Sequence, residues 1–94
     1  MARVFKALSD PTRLAIYEII RSGGGGTYSE AEVENSISEI AAHFDVSLST
    51  VSHHIKELRN ADLIRCDKRG QTVYCSPNTE ILEVVERYVR GVKS

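Results

Sequence analysis

Residues 47 to 60, SLSTVSHHIKELRN, constrain the fold of this chain more than any other stretch. Leu48, Val51, Ile55 and Leu58 recur at spacings of three and four, which places them on one side of a 3.6-residue helix. The opposite side carries Ser49, His53, Lys56 and Asn60, with Thr50 and Glu57 on one flank and Ser52 on the other. Short hydroxyls at a helix start, with donors and acceptors one turn on, suit a surface that lies between two phosphate backbones and touches base edges. An ordinary solvated helix face has the same composition. The neighbouring segments decide between the two.

Directly afterwards, residues 62 to 67 and 71 to 76 read as two short strands joined through Lys68-Arg69-Gly70, with Gly70 supplying the positive φ of a tight hairpin. Lys68, Arg69 and the neighbouring Arg65 then bring positive charge to the hairpin tip, where it can grip phosphate. Upstream, Ser36 and Glu39 have capping-box spacing and open a short helix with Ile37, Ile40, Ala41 and Phe44 as its apolar face. Asp45-Val46-Ser47 makes the turn. A short helix, a tight turn, a polar-faced helix and a basic hairpin, in that order, spell a winged helix-turn-helix. The expected class is mainly α with a small β-hairpin and about five helices.

Three motifs then resemble one known family. Phe5-Lys6-Ala7-Leu8-Ser9-Asp10-Pro11-Thr12-Arg13-Leu14 looks like the entry motif of the ArsR (arsenic-repressor-type) repressors. Thr50-Val51-Ser52-His53-His54-Ile55-Lys56-Glu57-Leu58 is similar to their recognition helix, and Gly70-Gln71-Thr72-Val73-Tyr74 to their wing. The resemblance covers nearly the whole chain. It implies a dimeric winged-helix repressor that leaves its operator when a metal ion, a redox change or another signal arrives, although members without a known inducer exist. The reading assigns DNA contact to Ser47, Ser49, Thr50, Ser52, His53, Lys56, Asn60, Arg65, Lys68 and Arg69. Leu48 stands where many relatives have a glutamine able to read adenine, so that base contact does not carry over.

A net charge of −1 at first opposes nucleic-acid binding, so its distribution matters. Residues 47 to 76 hold five cations against three anions, a local +2, whereas residues 29 to 45 hold five anions and no cation. A positive face can therefore meet phosphate on a slightly acidic molecule, with modest affinity per subunit. Ninety-four residues make one domain, 1 to 94, small enough to be marginal alone. No signal peptide and no run of about 18 apolar residues is evident, and two cysteines without a framework pattern fit a reducing cytosol. A cytoplasmic protein with no membrane partner is expected.

The chain ends supply the second subunit. Asp10 and Pro11 form an N-cap and a first-turn proline that launch a helix carrying Leu14, Ile16, Ile19 and Ile20 over the core. Val4, Phe5 and Leu8 make a short apolar stripe upstream. The last helix, started by Pro77, Asn78 and Thr79, carries Ile81, Leu82, Val84, Val85, Tyr88, Val89 and Val92 over more than one face. Val4, Phe5, Leu8, Leu82, Val85, Tyr88, Val89 and Val92 are the expected homodimer interface, pairing the first and last helices across a two-fold axis. Such a dimer sets two recognition helices ~34 Å apart on a pseudo-palindromic operator in double-stranded DNA.

Other chemistry finds little support. Ser22-Gly23-Gly24-Gly25-Gly26-Thr27-Tyr28 reads as a loop, a tolerated insertion, with Ser29 and Glu32 able to cap one extra turn. Metal-sensing members of the resembled family carry Cys-x-Cys at the helix equivalent to residues 37 to 44, or an Asp/His/His/Glu set on the last helix. Here ISEIAAHF has no cysteine, and the last helix has Glu80, Glu83 and Glu86 without histidine. No metal or other cofactor is expected, and operator affinity should not respond to zinc, arsenite or a chelator. His53 is read as DNA-facing, His54 as a packing or capping residue and His43 as a surface residue. No catalytic constellation assembles, since Ser52 and His53 diverge on adjacent helical positions.

Two other readings stay open. In the first, a redox-sensing repressor uses Cys66 and Cys75. If Arg69 and Gly70 are the central turn residues, these cysteines are diagonal neighbours roughly 7–8 Å apart, just beyond disulfide reach. The other is a winged-helix protein-interaction module without DNA readout. It would place an apolar patch beside His53, where DNA binding requires Lys56, Arg65, Lys68 and Arg69 exposed on the same side. A protein or small-molecule inducer remains compatible with either DNA-binding form.

Overall fold

A computed structural model describes residues 1–22 and 35–93. The glycine-rich segment and the Ser29/Glu32 cap lie outside them. The described order is α1 (Ala2–Ala7), α2 (Pro11–Ser22), β1 (Asn35–Ser36), α3 (Ile37–Ala41), α4 (Leu48–Asn60), β2 (Ile64–Arg69), β3 (Thr72–Pro77) and α5 (Thr79–Lys93). Five helices and one antiparallel sheet among these residues make the winged helix-turn-helix that the sequence implies.

Four helix starts, those of α2 to α5, have a local cause. The Asp10 carboxylate accepts from the Arg13 backbone N–H at 2.9 Å, and Pro11, which lacks an N–H to satisfy, takes the first helical position of α2. Ser36 and Glu39 close the full capping box at α3, each side chain accepting from the other's backbone N–H. Ser47 caps α4 by accepting from Thr50 N–H at 3.2 Å. Asn78 tethers the last helix: its Oδ1 accepts from Glu80 N–H, while its amide nitrogen donates to the Asp62 carbonyl at 2.8 Å. That last bond ties α5 to the residue where the chain turns out of α4 with a positive φ of 61°.

The core gathers on α4. Val51 and Leu58 are fully buried and Ile55 nearly so, at 4% exposed, and they meet Ile16, Tyr17 and Ile20 of α2, Ile40 of α3, and Leu63, Ile64 and Cys75 of the sheet. Leu48 departs from the expected stripe. It is 54% exposed, because at the first helical position it lies beyond the end of the packing partners. Leu14 is likewise exposed, and Tyr17 takes the inward position on α2 that the apolar pattern alone did not assign.

The sheet differs from the expected hairpin in two ways. It has a third strand, because Asn35 and Ser36 pair with Cys75 and Tyr74 and make β3 the central strand, in the order β1-β3-β2. Its tight turn also lies one residue later. Arg69 pairs with Thr72, leaving Gly70 and Gln71 as the central residues. Gly70 has φ +63° and Gln71 is not among the positive-φ residues, the Gly-first arrangement of a type II′ turn. An Arg-Gly centre would instead have required positive φ at an arginine.

Gly70→Ala should destabilise the fold by about 1–3 kcal/mol through backbone strain alone, since an added Cβ there meets no atom within 4 Å. Denaturant unfolding of this variant checks it; an unchanged midpoint would mean that the turn relaxes to another type.

Candidate nucleic-acid interface

Burying Val51, Ile55 and Leu58 turns the opposite side of α4 outward. Ser49, Thr50, His53, Lys56 and Asn60 are all exposed, and Ser52 is half-buried on the flank. The hydroxyls at the start of the helix form a linked set. Ser47 Oγ lies 2.8 Å from Thr50 Oγ1 and 3.1 Å from Ser49 Oγ. Three hydroxyls held in one cluster present donors and acceptors at fixed positions, which suits bidentate or water-bridged contact with base edges.

A second network, linking α2 to the flank of α4, was not foreseen as a unit. Arg13 donates through Nε to His54 Nδ1 at 3.3 Å and through Nη1 to the Ala7 carbonyl at 3.3 Å. His54 Nε2 in turn lies 3.9 Å from an Asp10 carboxylate oxygen, and the two imidazoles of His53 and His54 are 5.8 Å apart. One arginine thus joins α1, α2 and α4, and His54 packs inward as expected while its neighbour remains outside. The signal for this was the Asp-Pro-Thr-Arg run itself: a cap and a cation three residues apart lie on one side of the first helical turn.

The wing carries its charge unevenly. Arg69 sits over the Tyr74 ring, 4.1 Å from its centroid, and its Nε is 3.2 Å from Asp67. Stacking on an aromatic face and pairing with a carboxylate hold the guanidinium close to the strand pair. Lys68 is exposed on the opposite face of β2. Arg65 is not at the tip. It lies near the base of β2, where it donates to Asn78 Oδ1 at 3.3 Å and pairs with Glu80 at 3.3 Å. The alternating directions of a strand, with four residues between Arg65 and the turn, account for the difference.

The surface of α1 and α5 has a different character. Phe5, Val84, Tyr88, Val89 and Val92 are exposed, α5 has no buried residue, and the rings of Phe5 and Tyr88 meet at 5.9 Å. Leu8, Leu82 and Val85 are partly buried against the core. Val4, expected at the interface, is only 4% exposed, because the short α1 turns it inward with Ala7. No group of three or more potential metal ligands occurs among the described residues, and none of their helices is long and apolar enough to cross a membrane.

Comparison with known proteins gives this geometry a context. A family model described as a helix-turn-helix domain matches residues 8–67. The chain is 36% identical over 83 residues to the transcriptional repressor SdpR of Bacillus subtilis, covering 88% of this chain and 81% of that protein. It is 33% identical over 88 residues to a cadmium resistance transcriptional regulatory protein CadC homolog of Staphylococcus aureus, covering 93% and 65% of the two chains. Among solved structures, the ArsR family transcriptional regulator RHA00566 superposes with a TM-score of 0.77 at 28% identity, over 98% of this chain and 84% of that one. The homodimeric winged helix-turn-helix DNA-binding domain Mb0332 of Mycobacterium bovis gives 0.70 at 25% identity, over 98% and 76%.

The Asp10 corner generates a pH prediction. The backbone N–H of Arg13 above all, then the charges of His54 and Arg13, hold the Asp10 carboxyl below its ordinary value, against the opposing effect of burial. A depressed native pKa adds stability above the unfolded value, near pH 4, which is lost as pH falls through the native value. Asp10→Asn keeps a cap acceptor but cannot titrate, so its stability should fall less steeply than the parent's as the solution is acidified below about pH 4. Parallel acid-unfolding curves for the two proteins would refute the coupling.

Proposed function

The chain belongs to the ArsR family of winged helix-turn-helix transcriptional regulators, and from that premise we propose that it represses transcription as a homodimer, with α4 in the major groove and the wing on phosphate. The observation that carries the reading is the exposed Ser49, Thr50, His53 and Lys56 face of α4, set opposite a sealed apolar seam. A helix so arranged can enter a groove without losing its own packing. The linked Ser47, Ser49 and Thr50 hydroxyls sit at its N-terminal end, where recognition helices meet bases. Lys68 and Arg69 position the protein on the backbone, and Leu48, exposed at the helix start, is placed to meet a thymine methyl group.

Dimerisation rests on the uncovered apolar surface of α1 and α5. Phe5, Tyr88, Val89 and Val92 are large, exposed and contributed by the two ends of the chain, as they would be in a two-fold contact made by the same surface on both subunits. Mb0332, of the same fold, is a homodimer. The chain is one DNA-binding domain with no catalytic role. A protein-interaction module is disfavoured by the polar and cationic character around His53; the exposed large apolar side chains nearest that face are Val46 and Leu48, at the start of the helix. Lacking both metal-site motifs of the family, the repressor holds its operator without regard to metal, and zinc, arsenite or a chelator should leave operator affinity unchanged.

The test is a paired measurement on a DNA fragment selected from genomic DNA by the purified protein. Ser52→Ala with His53→Ala should weaken binding to that fragment by roughly 1–3 kcal/mol per lost base contact, with little change in unfolding. Unchanged affinity in the folded double variant would place the reading surface elsewhere. For the wing, Lys68→Ala should weaken selected and random DNA about equally and make the slope of log affinity against log salt shallower by ~1. A loss restricted to the selected sequence would mean that the wing reads bases.

A further inference from the structure

The one-residue shift of the wing turn brings the two cysteines together. Cys66 and Cys75 are direct cross-strand partners in the β2–β3 register, and their sulfurs are 3.8 Å apart. Directly opposed residues share a face with Cβ atoms roughly 4.5–5.5 Å apart, whereas a disulfide needs about 3.5–4.5 Å between Cβ atoms and about 2.0 Å between sulfurs. Side-chain rotation and a small closing of the strands bridge that difference. No third cysteine in the chain competes for either thiol.

The two thiols differ in access and in chemistry. Cys75 is completely buried on the central strand, and Cys66 is partly exposed on the edge strand. A hydrogen bond with Cys75 above all, then the Arg59 guanidinium, pulls the Cys66 thiol down to about 7 despite its burial. The same hydrogen bond and burial push the Cys75 thiol up. Cys66 therefore carries more thiolate character at neutral pH than an ordinary cysteine, with a protonated partner beside it.

We propose that Cys66 and Cys75 form a reversible dithiol–disulfide site at the base of the wing, oxidised by peroxide, whose closure re-aims Lys68 and Arg69 and loosens the hold on DNA. The Cys66 thiolate attacks one peroxide oxygen, the O–O bond breaks, and the leaving oxygen takes a proton to depart as water or an alcohol. The Cys66 sulfenic acid so formed is attacked by Cys75 sulfur. The S–O bond breaks as S–S forms, and the displaced hydroxide leaves as water with the Cys75 proton. Two electrons pass from the thiols to the peroxide.

Closure acts on the wing because the two strands are held unequally. β3 is fixed in the sheet centre, with Cys75 also paired to Asn35 of β1, whereas β2 is an edge. Drawing the sulfurs together therefore pulls β2 towards β3 and alters the twist of the ribbon beyond. Three residue pairs, Asp67–Tyr74, Lys68–Val73 and Arg69–Thr72, separate the bridge from the turn. Lys68 and Arg69 thus ride on the strand that moves.

The DNA part of this proposal rests on the regulator reading above; the disulfide part does not. The test treats the purified protein with hydrogen peroxide, then reads free thiols, intact mass, peptide map and affinity for the selected DNA fragment. The expected result is loss of both thiols and two hydrogens within one chain, with affinity lower by roughly tenfold and restored by dithiothreitol. Cys66→Ser should bind DNA like the untreated protein and ignore peroxide, and Cys75→Ala should repeat the insensitivity in a variant of different packing. Thiols that survive peroxide, a bridge only between chains, or an intrachain bridge with unchanged affinity would overturn the proposal. A reduced protein that binds no DNA would refute the regulator reading and the coupling, while the thiol and mass readouts still decide the disulfide.

Discussion

The apolar seam of α4 is the constraint on which the rest depends. Val51, Ile55 and Leu58 are sealed against α2, α3 and the sheet, so this helix cannot rotate without exposing three large side chains. Fully burying each is worth roughly 1.5–3 kcal/mol, as much as many single functional contacts. The seam therefore does two things at once. It holds the domain together and fixes which residues face outward. Ser49, His53 and Lys56 owe their exposure to Val51 and Ile55, and the proposed base-reading face inherits its geometry from the core.

Around that helix, polar contacts set angles more than they supply stability. Arg13 reaches Ala7 and His54 from the first turn of α2, so α1, α2 and α4 share one guanidinium. Asn78 joins the turn after α4 to the start of α5. These links fix the orientation of the reading helix relative to the two terminal helices, and through them relative to a second subunit. In a two-fold dimer, a small tilt at either link changes the spacing of the two recognition helices and hence the fit to successive major grooves.

The parts of the fold legible in the sequence are those with a local signature. Ser36 and Glu39 announce a helix start, Asp10-Pro11 another, and the spacing of Val51, Ile55 and Leu58 a buried face. The misread parts depend on partners distant in the chain. Leu48 has the right periodicity and no neighbour to pack on. Asn35 and Ser36 form a strand because β3 offers them an edge, and two residues are too few for any alternation to show. The wing turn could be centred on Arg69-Gly70 or Gly70-Gln71, and both give plausible hairpins. The choice changes the cysteines from diagonal to direct partners, and Arg65 belongs to the base of the wing with Asn78 and Glu80 in either case. One residue of register thus decides whether a redox site exists.

The central claim is that two copies of α4 read successive major grooves on one face of DNA. Guanine-N7 methylation interference on a fragment selected by the protein tests it most directly, because that atom lies in the major groove and its methylation obstructs a helix that enters there. The account predicts two patches of interference, related by a two-fold axis and centred about 34 Å apart. A single patch, interference confined to minor-groove adenine methylation, or binding indifferent to every methylated guanine would contradict it.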